Sequence, residues 1–135
     1  MKQIPKILIG GSNGYIGTKL CEFLKKKNYN FETFDINLFA KCLLYPIKKK
    51  YKTSFKDVRD INDDYLKKFD VYIHLSGISN NPVDNFKNKN KIYDITREYT
   101  KKIALKCKRN NVKFIFASSC SVYGEGGEKK FNRKF

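Results

Sequence analysis

Seven residues constrain this chain more than any others. Gly11-Ser12-Asn13-Gly14-Tyr15-Ile16-Gly17 is a GxxGxxG pattern, preceded by the apolar run Lys6-Ile7-Leu8-Ile9 and Gly10. An unbroken short apolar run suits a parallel strand buried on both faces. From Tyr15 to Lys27 the spacing turns helical, with Ile16, Leu20, Phe23 and Leu24 on one stripe and Asn28 at the end. The glycines therefore sit between a strand and a helix, the setting that makes such a pattern specific. There they allow a tight turn, close approach of the backbone to a pyrophosphate, and close packing of helix on strand. The helix start offers N–H groups and partial positive charge to phosphates.

A second strand, Asn30 to Phe34, ends at Asp35, 18 residues after Gly17. A carboxylate there accepts hydrogen bonds from adenine-ribose hydroxyls and repels a 2′-phosphate, so it selects NAD over NADP. Ile36-Asn37 follows it, with no Arg to receive a phosphate.

The rest of the chain continues the alternation. Tyr51 to Phe55 is a candidate third strand, Asp57-Val58-Arg59-Asp60 a polar turn, and Asp63 to Lys68 a short helix. A fourth strand, Asp70 to Leu75, runs into Ser76-Gly77 and then a Ser-, Asn- and Pro-rich loop from Ser79 to Asn85. Ile92 to Arg109 forms a long helix with Ile92, Ile95, Tyr99, Ile103 and Lys106 or Cys107 on one stripe, ended by Asn110-Asn111. The last strand is Lys113 to Ala117. Strand and helix in alternation predict an α/β fold of the Rossmann type, a doubly wound parallel sheet. We expect residues 1–124 to form one dinucleotide-binding domain and residues 125–135 a charged, irregular tail.

Four segments, in order, resemble the extended short-chain dehydrogenase/reductase family, the NAD-dependent sugar-nucleotide epimerases and dehydratases typified by UDP-galactose 4-epimerase. Gly11 to Gly17 is similar to its GxxGYIG loop, and Asp57-Val58-Arg59-Asp60 to its D-[IV]-R-D element. His74-Leu75-Ser76-Gly77 resembles the family's HLAA or HLAG strand end, and Ser118-Ser119-Cys120-Ser121-Val122-Tyr123-Gly124 its SSxxVYG segment. The resemblance spans about residues 4–124 and implies strand order 3-2-1-4-5. It implies NAD as cofactor and a nucleotide-sugar substrate. Gly11, Gly14 and Gly17 would form the pyrophosphate loop with Asn13, and Tyr15 and Ile16 would supply N–H groups. Asp35 would bind the adenosine ribose, Asp57 and Val58 the adenine edge. Leu75, Ser76 and Gly77 would pass beside the nicotinamide ribose. Ser119 would be the catalytic hydroxyl that hydrogen-bonds the substrate oxygen.

The chain also departs from the family. The catalytic Tyr and Lys of the family form a YxxxK pair after the last strand seen here. Tyr123 has Gly127 four positions on, and no YxxxK pair lies beyond Ser119. Thr96 stands where the family places Asn on the long helix. Cys120 and Ser121 replace the acidic residues of the dehydratase branch, which implies an epimerase, a reductase or another branch. The resemblance further implies that this domain is incomplete: the remaining strands, the YxxxK helix and the sugar-nucleotide domain lie outside these residues, leaving the fifth strand a bare edge. The full-length relatives are expected to be homodimers. A non-catalytic dinucleotide-binding module or sensor is the competing reading.

Charge and cysteines exclude other classes. The net charge is +16, but 25 of the 29 basic residues are Lys and spread along the chain. A nucleic-acid binder concentrates Arg and Lys on one element, so we expect no specific nucleic-acid partner. No apolar run is long enough to span a membrane, and no secretory signal is evident. Cys21, Cys42, Cys107 and Cys120 form no CxxC pair, so no metal site is expected and the reducing cytoplasm is the expected location. His74, at the end of a buried strand, is expected to be structural.

Overall fold

A computed structural model describes residues 4–38, 51–77 and 93–118, with the side chains of Tyr93 and Asp94 excepted. Along the chain run β1 (Ile7–Gly10), α1 (Tyr15–Lys26), β2 (Phe31–Asp35), β3 (Thr53–Phe55), a 3-10 turn (Val58–Asp60), α2 (Asp63–Leu66), β4 (Val71–His74), α3 (Tyr93–Arg109) and β5 (Lys113–Phe116). The predicted loop Ser79–Asn85, Ile92 at the start of the long helix, Cys42, Ser119 to Gly124 and the tail 125–135 lie outside the described residues.

The strands form one parallel sheet in the order β3-β2-β1-β4-β5, as expected. β1 is central. Ile7 pairs with Phe31 on one side and Val71 on the other, and Gly10 pairs with Phe34 and His74. The carboxyl ends of β1, β2 and β4 therefore finish in line, and ligands of open α/β sheets bind beyond that end.

All four residues of β1 are buried, and their alternation divides the interior in two. Leu8 joins Phe34, Leu66, Tyr72, Ile103 and Cys107 on the face covered by α2 and α3. Ile7 and Ile9 join Cys21 and Leu24 on the face covered by α1. β5 pairs with β4 and is mostly exposed, including Ile115 and Phe116.

Of the expected stripe of α1, Leu24 is buried and Leu20 packs against the core, but Ile16 and Phe23 do neither. Gly17, Thr18, Cys21 and Leu24 face the sheet, whereas Ile16 is 60% and Phe23 54% exposed. The reason lies at Gly17. A Cβ there would lie 2.2 Å from the Gly11 carbonyl oxygen and under 3 Å from the Ser12 backbone. That closest approach sets the line of contact, and Ile16 and Phe23 are turned outward. Ile95 on α3 is likewise exposed, while Ile103 and Cys107 are buried as predicted.

Both long helices end alike. Asn28 and Asn111 adopt left-handed conformations, φ 56° and 55°. The next N–H returns into the helix, Tyr29 to Leu24 O at 3.0 Å and Val112 to Cys107 O at 2.9 Å. This is the Schellman arrangement, which satisfies carbonyls that a helix end leaves open.

Candidate functional site

The loop after β1 is bound to the sheet through its first residues. The Gly11 and Ser12 N–H groups donate to Phe34 O, at 3.0 and 3.4 Å, and Gly14 N–H donates to Gly11 O at 3.3 Å. Ser12 is fully buried, with its hydroxyl 3.4 Å from that of Thr53 on β3. Gly11 has φ +82°, and a Cβ there would meet the Leu75 carbonyl carbon at 2.6 Å. Glycine is thus required twice over, by conformation and by space.

Tyr15, Ile16 and Gly17 open α1 ahead of its first return bond, Thr18 N–H to Gly14 O at 2.9 Å. No side chain caps this end, and no acidic residue lies in its first turn. Such N–H groups are unsatisfied within the helix, so they remain open to an anion. Nothing in the loop blocks a pyrophosphate: the residues present fit one.

Asp35 closes β2 beside this loop. One carboxylate oxygen accepts the Asn13 N–H at 2.9 Å, and the other accepts the Asn37 N–H at 2.7 Å. The Asn13 side-chain amide donates in turn to Asn37 Oδ1. Of the predicted loop residues, Asn13 thus has its N–H committed to Asp35.

Across the crevice the construction changes. Asp57 caps the 3-10 turn, its Oδ1 accepting from Arg59 N–H at 2.8 Å and from Arg59 Nε at 3.0 Å. Its other oxygen takes Arg59 Nη2 at 2.6 Å. The Arg59 side chain holds the Asp57 carboxyl below the usual carboxylate range, with partial burial opposing and the Arg59 N–H assisting. Val58, packed into the core, and Arg59 edge a cleft of about 370 Å³, further lined by Ile95, Tyr99, Lys102 and Ile103. That volume falls within the range of small-ligand pockets, ~300–1,000 Å³.

His74, Leu75, Ser76 and Gly77 carry β4 into the crevice. Leu75 N–H donates to Gly10 O at 2.9 Å, and the Tyr99 hydroxyl donates to Ser76 O at 3.4 Å. Among the described residues, nothing lies within 4 Å of a Cβ on Gly77. His74 is 1% exposed. Its Nδ1 lies 2.9 Å from the Tyr72 hydroxyl and its Nε2 3.0 Å from the Thr100 hydroxyl. Both ring nitrogens of a neutral imidazole are thereby satisfied, and burial pushes the ring's pKa down to about 4. The same burial drives the Tyr72 hydroxyl upward. His74 is thus buried, with both ring nitrogens held by neighbouring hydroxyls. No cluster of metal-ligating side chains occurs among the described residues.

The structure thus gathers Gly11, Asn13, Gly14, Tyr15, Ile16, Gly17 and Asp35 at the β1–β2 end, and Leu75, Ser76 and Gly77 against them. Asp57 and Val58 stand beside the cleft. Ser119 lies outside the described residues. Sequence reasoning passed over Asn37, Tyr72 and Thr100 as partners of the site. Only Asn37 carried a signal, an Asn directly after a strand end.

A glycine loop opening a helix at the carboxyl end of a parallel sheet, with a carboxylate on the next strand, defines a dinucleotide-binding fold of the Rossmann class. Within that class, residues 7–135 match the model of the NAD dependent epimerase/dehydratase family, and the chain belongs to it. Solved structures share the fold. A UDP-N-acetylglucosamine 4-epimerase from Methanobrevibacter ruminantium, in complex with UDP-N-acetylmuramic acid, aligns with TM-score 0.73 at 24% identity, over 96% of this chain and 43% of its own. The NAD dependent NDP-hexosamine 5,6-dehydratase TunA of tunicamycin biosynthesis gives 0.73 at 24% identity, over 89% and 39%. A UDP-glucose 4-epimerase from Bifidobacterium longum, in complex with NAD+ and UDP, gives 0.65 at 25% identity, over 88% and 38%. The chain spans about two fifths of the length of these structures.

Proposed function

We propose that this chain is the NAD-binding portion of a sugar-nucleotide epimerase/dehydratase-type oxidoreductase. The observation that carries the reading is the uncapped start of α1 beside Asp35, whose carboxylate is held by main-chain donors. Tyr15 and Ile16 N–H groups would hold the pyrophosphate, in a loop shaped by Gly11, Gly14 and Gly17. Asp35 would take the adenosine-ribose diol. Asp57 and Val58 would hold the adenine edge at the cleft beside Arg59. Leu75, Ser76 and Gly77 would flank the nicotinamide ribose, where no described residue lies within 4 Å of a Cβ on Gly77. Bound NAD supplies a hydride acceptor.

Ser119 would hydrogen-bond a nucleotide-sugar oxygen. A single hydroxyl does not accomplish the general acid/base step, and no YxxxK pair follows it within residues 120–135. We therefore expect residues 1–135 to bind NAD, to bind NADP more weakly, and to turn over no UDP-hexose. Calorimetric titration with both dinucleotides and an assay with UDP-glucose and UDP-galactose test this. Turnover by the purified chain overturns the inactivity, and absence of NAD binding overturns the assignment.

A further inference from the structure

Asn37 is held in a conformation that a side chain rarely adopts. Its φ is +55°, in the left-handed region that Asn tolerates better than most residues. That conformation delivers its N–H to one oxygen of Asp35 at 2.7 Å, while Asn13 N–H reaches the other at 2.9 Å. The Asn13 side-chain amide then donates to Asn37 Oδ1, closing a ring of three residues. Asn13 belongs to the glycine loop, and Asp35 and Asn37 to the end of β2. The ring is a clasp between the two.

We propose that Asn37 is a positioning residue for recognition of the adenosine-ribose diol, acting through Asp35; this rests on the assignment of Asp35 to that diol. Each carboxylate oxygen offers about two acceptor positions. With one N–H on each, the carboxylate plane cannot turn, and one position per oxygen is left. Two free acceptors side by side match the two donors of a vicinal diol. Without Asn37 N–H the carboxylate is held at one oxygen only, and it can rotate away from a two-point contact. The clasp also joins the loop that takes phosphates to the carboxylate that takes the sugar, so ordering of one supports the other.

The test titrates ADP-ribose and its analogue lacking the adenosine 2′-hydroxyl into residues 1–135 by calorimetry. Asn37→Ala keeps the exposed site foldable but disfavours the left-handed backbone. It is expected to weaken ADP-ribose about 10-fold, the order expected for losing one charge-assisted hydrogen bond. The 2′-deoxy analogue, which makes one contact in any case, should change less than about 2-fold by the same reasoning. Asn37→Gly adopts the left-handed backbone freely and should restore ADP-ribose affinity to within about 3-fold of the parent. In the ligand-free chain, amide exchange at Asn13 and Asn37 should quicken in Asn37→Ala and return toward the parent rate in Asn37→Gly. Equal losses for both ligands, or an Asn37→Ala variant that binds like the parent, overturn the positioning role. A parent chain that binds neither ligand while its Asn13 and Asn37 amides stay protected instead overturns the cofactor assignment, and the role of Asn37 in it.

Discussion

The two walls of the crevice are held by different kinds of bond. At the β1–β2 end, main-chain donors predominate: Gly11 and Ser12 N–H on Phe34 O, Asn13 and Asn37 N–H on Asp35. At the β4–α3 end, side chains do the holding: Tyr72 and Thr100 on His74, Tyr99 on Ser76, and nearby Arg59 on Asp57. A wall of main chain depends on which residues leave room, and a wall of side chains that titrate depends on their protonation. Substitution should therefore break the first by size and the second by pH.

The largest effect is expected at Gly17. Alanine there drives a Cβ into Gly11 O, 2.2 Å away, and backbone cannot yield cheaply. We expect a loss of about 3 kcal/mol in stability, the upper end for overpacking, together with loss of NAD binding. Thermal unfolding and calorimetry on Gly17→Ala measure both, and a variant as stable as the parent would break the first half of the comparison.

Asp35→Ala comes next. It leaves the loop's glycines untouched but removes the acceptor shared by two amides. NAD affinity should fall about 100-fold, the order for one or two charged hydrogen bonds, while the melting temperature moves little. An unchanged NAD affinity by titration would remove Asp35 from the site.

On the other wall the response should follow pH. The His74 ring titrates near 4 when folded and near 6.5 when free. The unfolded chain therefore takes up the proton first as pH falls. The stability His74 allows is complete above pH 6.5 and is lost progressively toward pH 4. By pH 5 the loss should reach about 2 kcal/mol. Denaturant titrations from pH 7 to pH 4.5 test the slope, and His74→Gln, with no ring to protonate, should flatten it.

Asp57 gives the smallest effect. Asp57→Ala removes an N-cap, ordinarily about 1 kcal/mol. Its carboxyl is held low by Arg59, so its contribution is present above the ordinary carboxylate range and is lost only as the pH falls through the lowered value. Arg59→Ala should move that acid limb upward without altering the limb set by His74. Coincident limbs in the two variants would show that the two groups do not titrate separately.

The same contrast explains what was readable beforehand. Glycine spacing and the position of Asp35 are local, and main-chain geometry converts them directly into the loop proposed to hold phosphates and the carboxylate proposed to hold the ribose. The alternation of strand and helix showed a parallel α/β sheet, while the strand order came from the family resemblance that the four motifs carry. On α1, Leu20 and Leu24 were read correctly, but Ile16 and Phe23 were misjudged because apolar size was weighed and the absence of a side chain at Gly17 was not. The partners Tyr72, His74 and Thr100 span two elements, and Thr100 lies 26 residues from His74. No periodicity reports such a pairing. Asn37 was visible as a residue but not as a left-handed one, because its conformation is decided by Asp35 and Asn13 together.

The central strand has one more consequence. Leu8 and Ile9 look into opposite interiors, and Gly10 is in register with both Phe34 and His74. A single residue inserted into β1 would exchange the two interiors' side chains and offset the glycine turn from both neighbours at once. Length variation at these four residues is thus penalised in both interiors and at the glycine turn together.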